Sequence, residues 1–182
     1  MDQKNPFQIV SDACQQTGVA VLLVGGHALG AYGHQRLTQD VDFLIDERDL
    51  QKLKTALLEK EYPEALQSPV VSRLGNPDKG DVLIDLMPID SETFRKMRAE
   101  AKEEIYFDRK FLVPKLEHLI AMKLHALRQQ FEKRKTKDLP DVAELVKRNK
   151  IDPQSSEFRT LCLKFGSEKL YEELLRFLDK HE

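Results

Sequence analysis

The sequence predicts a mixed α/β fold that passes into a helical second half. An apolar run, Val19 to Val24, stops at Gly25-Gly26, and short extended segments then alternate with amphipathic helical patterns as far as about Val113. From Pro114 onward the periodicity is helical.

Each element has its own signal. Asn5 and Pro6 read as an N-cap and first helical position, and Gly18 as the stop, so a first helix spans 6–17. Val19 to Val24 is continuous, apolar and β-branched, which suits a strand buried on both faces of a sheet. A short helix over 27–32 follows. Asp40 to Ile45 is the second strand, 49–60 an amphipathic helix, and 70–74 with 82–86 a hairpin across Gly75 to Gly80. A polar helix lies near 91–101, and 105–113 supplies one or two further extended segments before Pro114 opens a helix to about Gln130. Glu132 to Lys137 reads as a charged break, and the chain from Lys137 on as helical. The division is a core over 1–113 and a helical region over 114–182 packed on it, with a soft boundary.

Composition excludes several classes. The 182 residues, 41% hydrophobic, are enough for a sizeable core. Charged residues make up 33% but nearly cancel to −2, so no global field draws the protein to nucleic acid or anionic membrane. Cys14 and Cys162 lack the spacing of a zinc site or disulfide framework and read as reduced thiols. The N-terminus has no apolar signal core, and no stretch approaches the roughly 20 apolar residues of a membrane span, so a soluble cytoplasmic protein is expected.

The chemistry concentrates around Asp40. In a strand, side chains alternate between faces, so Asp40 and Asp42 project together while Val41, Phe43 and Ile45 project oppositely. Paired carboxylates repel unless a cation sits between them. Asp85, within Val82 to Leu86, is a third acid whose unpaired burial would be costly, and a metal shared with Asp40 and Asp42 would compensate it. Such a triad can hold two Mg²⁺ roughly 3.5–4 Å apart for displacement at phosphorus. Glycine lets backbone N–H groups approach a phosphate, so Gly25 and Gly26 fit the same chemistry. Arg36 can either pair with Asp40 or reach a phosphate. His27 stands beside the glycines, where it could touch phosphate, and no histidine shows zinc-type spacing.

Gly25-Gly26-His27-Ala28-Leu29 followed by Gly33-His34-Gln35-Arg36-Leu37-Thr38-Gln39-Asp40-Val41-Asp42 resembles the nucleotidyltransferase superfamily that includes DNA polymerase β, and within it the minimal AbiEii-like branch. The resemblance implies a mixed sheet carrying the acids, flanked by helices, and transfer of a nucleotidyl group from a Mg²⁺-bound nucleoside triphosphate such as ATP. Carried over, Asp40, Asp42 and Asp85 are metal ligands and catalytic acids, and Gly25 and Gly26 the phosphate-facing turn. His27, Arg36 and Thr38 then belong to the nucleotide side of the site.

In the helix after Pro114, Leu116, Ile120 and Leu127 form an apolar stripe with Lys123 in its middle, while His118 and His125 fall on the opposite, solvent-facing side. An inward lysine needs a carboxylate, a phosphate or a route to water. The same branch resemblance includes a lysine on such a helix with an acid soon after, which makes Lys123 a triphosphate contact and Asp138 or Asp141 its partner. Asp138 can alternatively N-cap a helix with Pro140 in its first turn. Leu161 to Phe177 suggests small amphipathic helices that finish the core or meet a partner chain.

The resulting expectation is a Mg²⁺-dependent nucleotidyltransferase that releases pyrophosphate, with RNA or tRNA, a protein or a small molecule as acceptor. An antitoxin or a second copy is an expected partner. The alternative is a catalytically silent nucleotide-binding or partner-binding module of a toxin–antitoxin or defence system.

Overall fold

The computed structural model describes residues 5–180. They form two units, one running to Ala31 and over Gln35–Lys115, the other joining Tyr32–His34 to the chain from Leu116 on.

The first unit opens with α1 (Pro6–Thr17), capped by the Asn5 side chain accepting from the Phe7 amide at 2.9 Å and ended by Gly18 at φ 71°. β1 (Val21–Val24) then runs into α2 (Gly25–Ala28) and a 3₁₀ turn over Leu29–Tyr32. β2 (Asp40–Asp46), α3 (Leu50–Glu59), β3 (Glu64–Gln67), β4 (Ser72–Leu74), β5 (Leu83–Ile89), α4 (Ser91–Ala99), β6 (Lys102–Tyr106) and β7 (Arg109–Val113) follow. The strands make one seven-stranded sheet in the order β3-β4-β5-β2-β1-β7-β6. β2 is antiparallel to β1 and parallel to β5, so the mixed sheet expected from the sequence is present.

The core of this unit follows from the apolar runs. All four residues of the central strand β1 are buried, so both of its faces are covered, and Val41, Phe43 and Ile45 of β2 are buried with them. Burying each such side chain stabilises by about 1.5–3 kcal/mol. The polar side of β2 is left to carry Asp40 and Asp42, both half-buried.

The second unit contains α5 (Leu116–Arg148), α6 (Ser156–Phe165) and α7 (Glu168–Lys180), which pack against one another in pairs. α5 is two helical segments joined at Gln130, whose φ of −144° and ψ of 55° are not helical. Leu119, Ile120, Leu124 and Leu127 are buried before the break and Leu139, Val142, Leu145 and Val146 after it.

Several sequence expectations change here. β3 is an additional strand: Glu64 to Gln67 is exposed throughout and has no apolar alternation, so only its backbone pairing to β4 defines it. The stretch Glu132 to Lys137 is helical, because α5 breaks earlier, at Gln130. Its charges make local pairs such as Lys135 with Glu132 at 2.6 Å. Asp138 therefore lies inside a helix, not at an N-cap, and Pro140 is likewise internal. His118 is half-buried, whereas His125 is exposed as expected. Among the described residues no helix is long and apolar enough to cross a membrane.

Candidate functional site

Two clusters of polar side chains stand out, one in each unit. The first is built by register. β2 and β5 are parallel neighbours in which Asp42 is directly opposite Asp85, and Asp40 lies two residues before Asp42 on the same face. One carboxylate oxygen from each of the three acids falls within 4.8 Å of the others. Asp85 is buried at 6% exposure, while Asp40 and Asp42 are half-buried and reachable from solvent. Hard oxygen donors gathered this closely on three rigid backbone positions suit a divalent cation.

The glycine turn is locked to these acids. Gly25 has φ 65°, and a β-carbon there would lie 1.8 Å from Asp42 Oδ2. The turn is thus glycine both for its dihedral and because the Asp42 carboxylate occupies the missing side chain's place. A β-carbon on Gly26 would meet Thr38 Cβ at 2.9 Å. Thr38 in turn donates its hydroxyl to Asp40 Oδ1 at 2.9 Å, so within this cluster it holds an acid in place.

His27 is packed edge-on against Phe7 with ring centroids 5.1 Å apart, and its carbonyl accepts from the Tyr106 hydroxyl at 3.1 Å. Burial pushes its pKa below the ordinary 6.5, against the pull of Asp40 and with help from the Arg36 charge. Arg36 also donates to the Leu37 carbonyl at 3.1 Å.

Arg73, on β4, is the residue the sequence reading missed. It lies directly opposite Asp85 in the antiparallel β4–β5 pairing. Its guanidinium donates from Nε to Asp85 Oδ1 at 2.6 Å and from Nη2 to Oδ2 at 2.5 Å, and Nη2 is 3.8 Å from Asp40 Oδ2. The hydrogen bond to Asp85 raises the guanidinium's pKa further above its ordinary value. The buried charge of Asp85 is therefore compensated by a cross-strand arginine, where the sequence alone calls for a shared metal. The signal available was a single cation in the strand predicted to pair with the strand carrying Asp85.

The second cluster lies wholly in the helical unit. Lys123 is buried at 9% exposure and its Nζ donates to Asp138 Oδ1 at 2.9 Å and Asp141 Oδ2 at 2.7 Å. The sequence offers Asp138 or Asp141 as the partner of this inward lysine, and it contacts both. Arg134 adds a contact to Asp138 Oδ2 at 2.9 Å, and His34 Nε2 lies 2.9 Å from Asp141 Oδ1. Neither Arg134 nor His34 was foreseen as a partner, since His34 is 107 positions from Asp141 in the chain.

A cleft of about 480 Å³ opens elsewhere, at the Asp46 end of β2, lined by Arg48, Ser91, Phe94, Arg95 and Arg98 among others. The three acids do not line it. Asp46 is held there by Arg48 and Ser91, at 2.7 Å to Arg48 Nη2 and 2.8 Å to Ser91 Oγ.

The family model described as nucleotidyl transferase AbiEii toxin, type IV toxin–antitoxin system, matches residues 9–181. The chain belongs to this family. It is accordingly a nucleotidyltransferase. Solved structures with the same fold include ANT(2'')-Ia in complex with adenylyl-2''-tobramycin, at 14% identity and a TM-score of 0.58 over 96% of each chain. The lincosamide antibiotic adenylyltransferase LnuA, lincomycin-bound, is 17% identical with a TM-score of 0.55, over 80% of this chain and 98% of its own. An antigenic nucleotidyltransferase-like protein from Paracoccidioides brasiliensis is 21% identical with a TM-score of 0.53, over 87% and 85%. No curated protein matches the chain. Within the AbiEii family assignment, the Asp40, Asp42 and Asp85 cluster is the arrangement that could bind a metal.

Proposed function

We propose that this AbiEii-family chain transfers a nucleoside monophosphate from a Mg²⁺-bound nucleoside triphosphate to a hydroxyl acceptor and releases pyrophosphate. The observation that carries the proposal is the convergence of Asp40, Asp42 and Asp85 within 4.8 Å on adjacent strands. Bound Mg²⁺ would supply the positive charge that such chemistry needs at the phosphates and the attacking oxygen.

The chain's own residues do the rest. Asp40 and Asp42 would hold the metal, with Thr38 fixing Asp40 and the Gly25 turn seating Asp42. Asp85 would complete the ligand set and accept the proton of the acceptor hydroxyl as its oxygen attacks the α-phosphorus. The bond between the α-phosphorus and the bridging oxygen breaks, and pyrophosphate carries away that electron pair. Gly25 and Gly26 would offer backbone amides to the phosphates, with His27 and Arg36 on the nucleotide side. Lys123, with Asp138 and Asp141 as its partners, forms a separate charged cluster within the helical unit.

The family's toxin–antitoxin description supports an antitoxin as partner. The test is incubation with each α-labelled triphosphate, Mg²⁺ and pools of tRNA, protein and small hydroxyl compounds. Label should move to one pool with matching pyrophosphate, and Asp42→Asn should lower the rate by about a hundredfold or more. Triphosphate binding without any Asp42-dependent product would overturn the transfer reading.

A further inference from the structure

The guanidinium of Arg73 stands where a divalent cation would also be drawn. Both oxygens of Asp85 already accept from it, at 2.6 and 2.5 Å, and its Nη2 reaches to 3.8 Å from Asp40. The fork is held by sheet register, since Arg73 and Asp85 are cross-strand partners, and by the burial of Asp85 at 6% exposure. An unpaired carboxylate at that depth would be costly, and three carboxylates within 4.8 Å would repel. Arg73 relieves both strains in the cation-free protein.

The same charge must then oppose a metal. A carboxylate oxygen has two lone pairs, so the arginine fork does not block coordination at Asp85 by geometry. A dication bound to these oxygens would, however, sit only a few ångströms from the guanidinium, in a site partly withdrawn from water where like charges repel more strongly. An entering triphosphate reverses the balance, because its phosphates attract both the dication and the arginine.

We propose that Arg73 is a built-in counter-cation of the acid triad: it holds Asp85 while the site is empty and weakens divalent-cation binding until a triphosphate arrives. This regulation rests on the reading of Asp40, Asp42 and Asp85 as metal ligands. Arg73 acts through Asp85 and is a positioning residue.

The test is titration of the full chain with Mn²⁺ alone, followed by electron paramagnetic resonance of the free ion, for wild type, Arg73→Met, Arg73→Gln, Arg73→Lys and Asp42→Asn. Removing the charge should tighten Mn²⁺ binding by about tenfold or more, whereas Arg73→Lys should stay within about threefold of wild type. Metal-free Arg73→Met should melt below wild type and gain more from Mn²⁺. Arg73→Gln keeps a hydrogen-bond donor to Asp85 and reads out the charge alone should Arg73→Met not fold. Binding that is lost in Asp42→Asn but unchanged or weaker in the neutral Arg73 variants overturns the counter-cation role and leaves the metal site standing. Equal tightening in Arg73→Lys also overturns it, since charge would not be the cause. If no protein, wild type included, binds Mn²⁺, the metal-ligand reading fails and the counter-cation role fails with it.

Discussion

A single missing atom links the glycine turn to the acids. At Gly25 a β-carbon would fall 1.8 Å from Asp42 Oδ2, and the φ of 65° is itself one that L-residues avoid. Alanine there must both strain the backbone, at roughly 1–2 kcal/mol, and push the Asp42 carboxylate off its position. At Gly26 the obstacle is Thr38 Cβ at 2.9 Å, and φ is ordinary, so alanine displaces Thr38 and loosens its hydrogen bond to Asp40. Gly25→Ala should therefore abolish detectable transfer while Gly26→Ala lowers it, and both should fold by circular dichroism. Equal activity of Gly25→Ala and wild type in the labelled-triphosphate assay would show that Asp42 does not need this seat.

Within the helical unit, α5 is a long helix interrupted at Gln130, and the two segments each bring a charge to the same point. Lys123 comes from the first segment, and Asp138 and Asp141 from the second. Both carboxylates are buried at 3% side-chain exposure, and without the ammonium Asp138 is left to Arg134 and Asp141 to His34. Lys123→Met should cost about 3–5 kcal/mol in urea unfolding, and adding Asp138→Asn to it should recover part of that loss. Simple additivity of the two substitutions would contradict the pairing. The lysine was legible in the sequence because it interrupts an apolar stripe, and Asp40 with Asp42 because strand alternation puts them on one face. Asp85 was legible as a charge inside an apolar run. Arg73, Arg134 and His34 were not, because each matters through a partner chosen by register or tertiary packing, which one-dimensional periodicity does not encode. β3 was missed for a related reason: its four exposed residues bury nothing and leave no pattern. The charged run Glu132 to Lys137 reads as a break in the sequence, but i, i+3 and i, i+4 ion pairs make it compatible with helix.

For the whole molecule, the shifted groups set the edges of a pH–stability profile. On the acid side, Asp46, Asp90 and Glu92 are held below their ordinary values by the Arg48 hydrogen bond, the Thr93 amide and the Lys96 ammonium respectively. A carboxylate with a depressed folded pKa stabilises the fold above its unfolded value, here 3.8 or 4.5, and that stabilisation is lost as pH falls through the folded value. His27, lowered mainly by burial, has the same sign from a higher starting point: stability is full above 6.5 and declines below it, because the unfolded chain takes up a proton that the folded one resists. On the alkaline side, burial pushes the Cys14 and Cys162 thiols from 9.0 to about 12, and burial with the Asp81 charge pushes Tyr62 from 10.0 to about 12. Raised folded values stabilise below the unfolded pKa and lose that contribution as pH climbs toward the folded one. Stability measured by denaturant unfolding should therefore form a plateau between about pH 6.5 and 9 and fall on both sides. His27→Gln should flatten the limb just below 6.5, and Cys14→Ala with Cys162→Ala should flatten the limb above 9, whatever either does to the plateau height. A stability that rises as pH is lowered from 7 to 5 would mean that His27 gains a proton on folding, and burial as the dominant influence on this half-buried histidine would have to be given up.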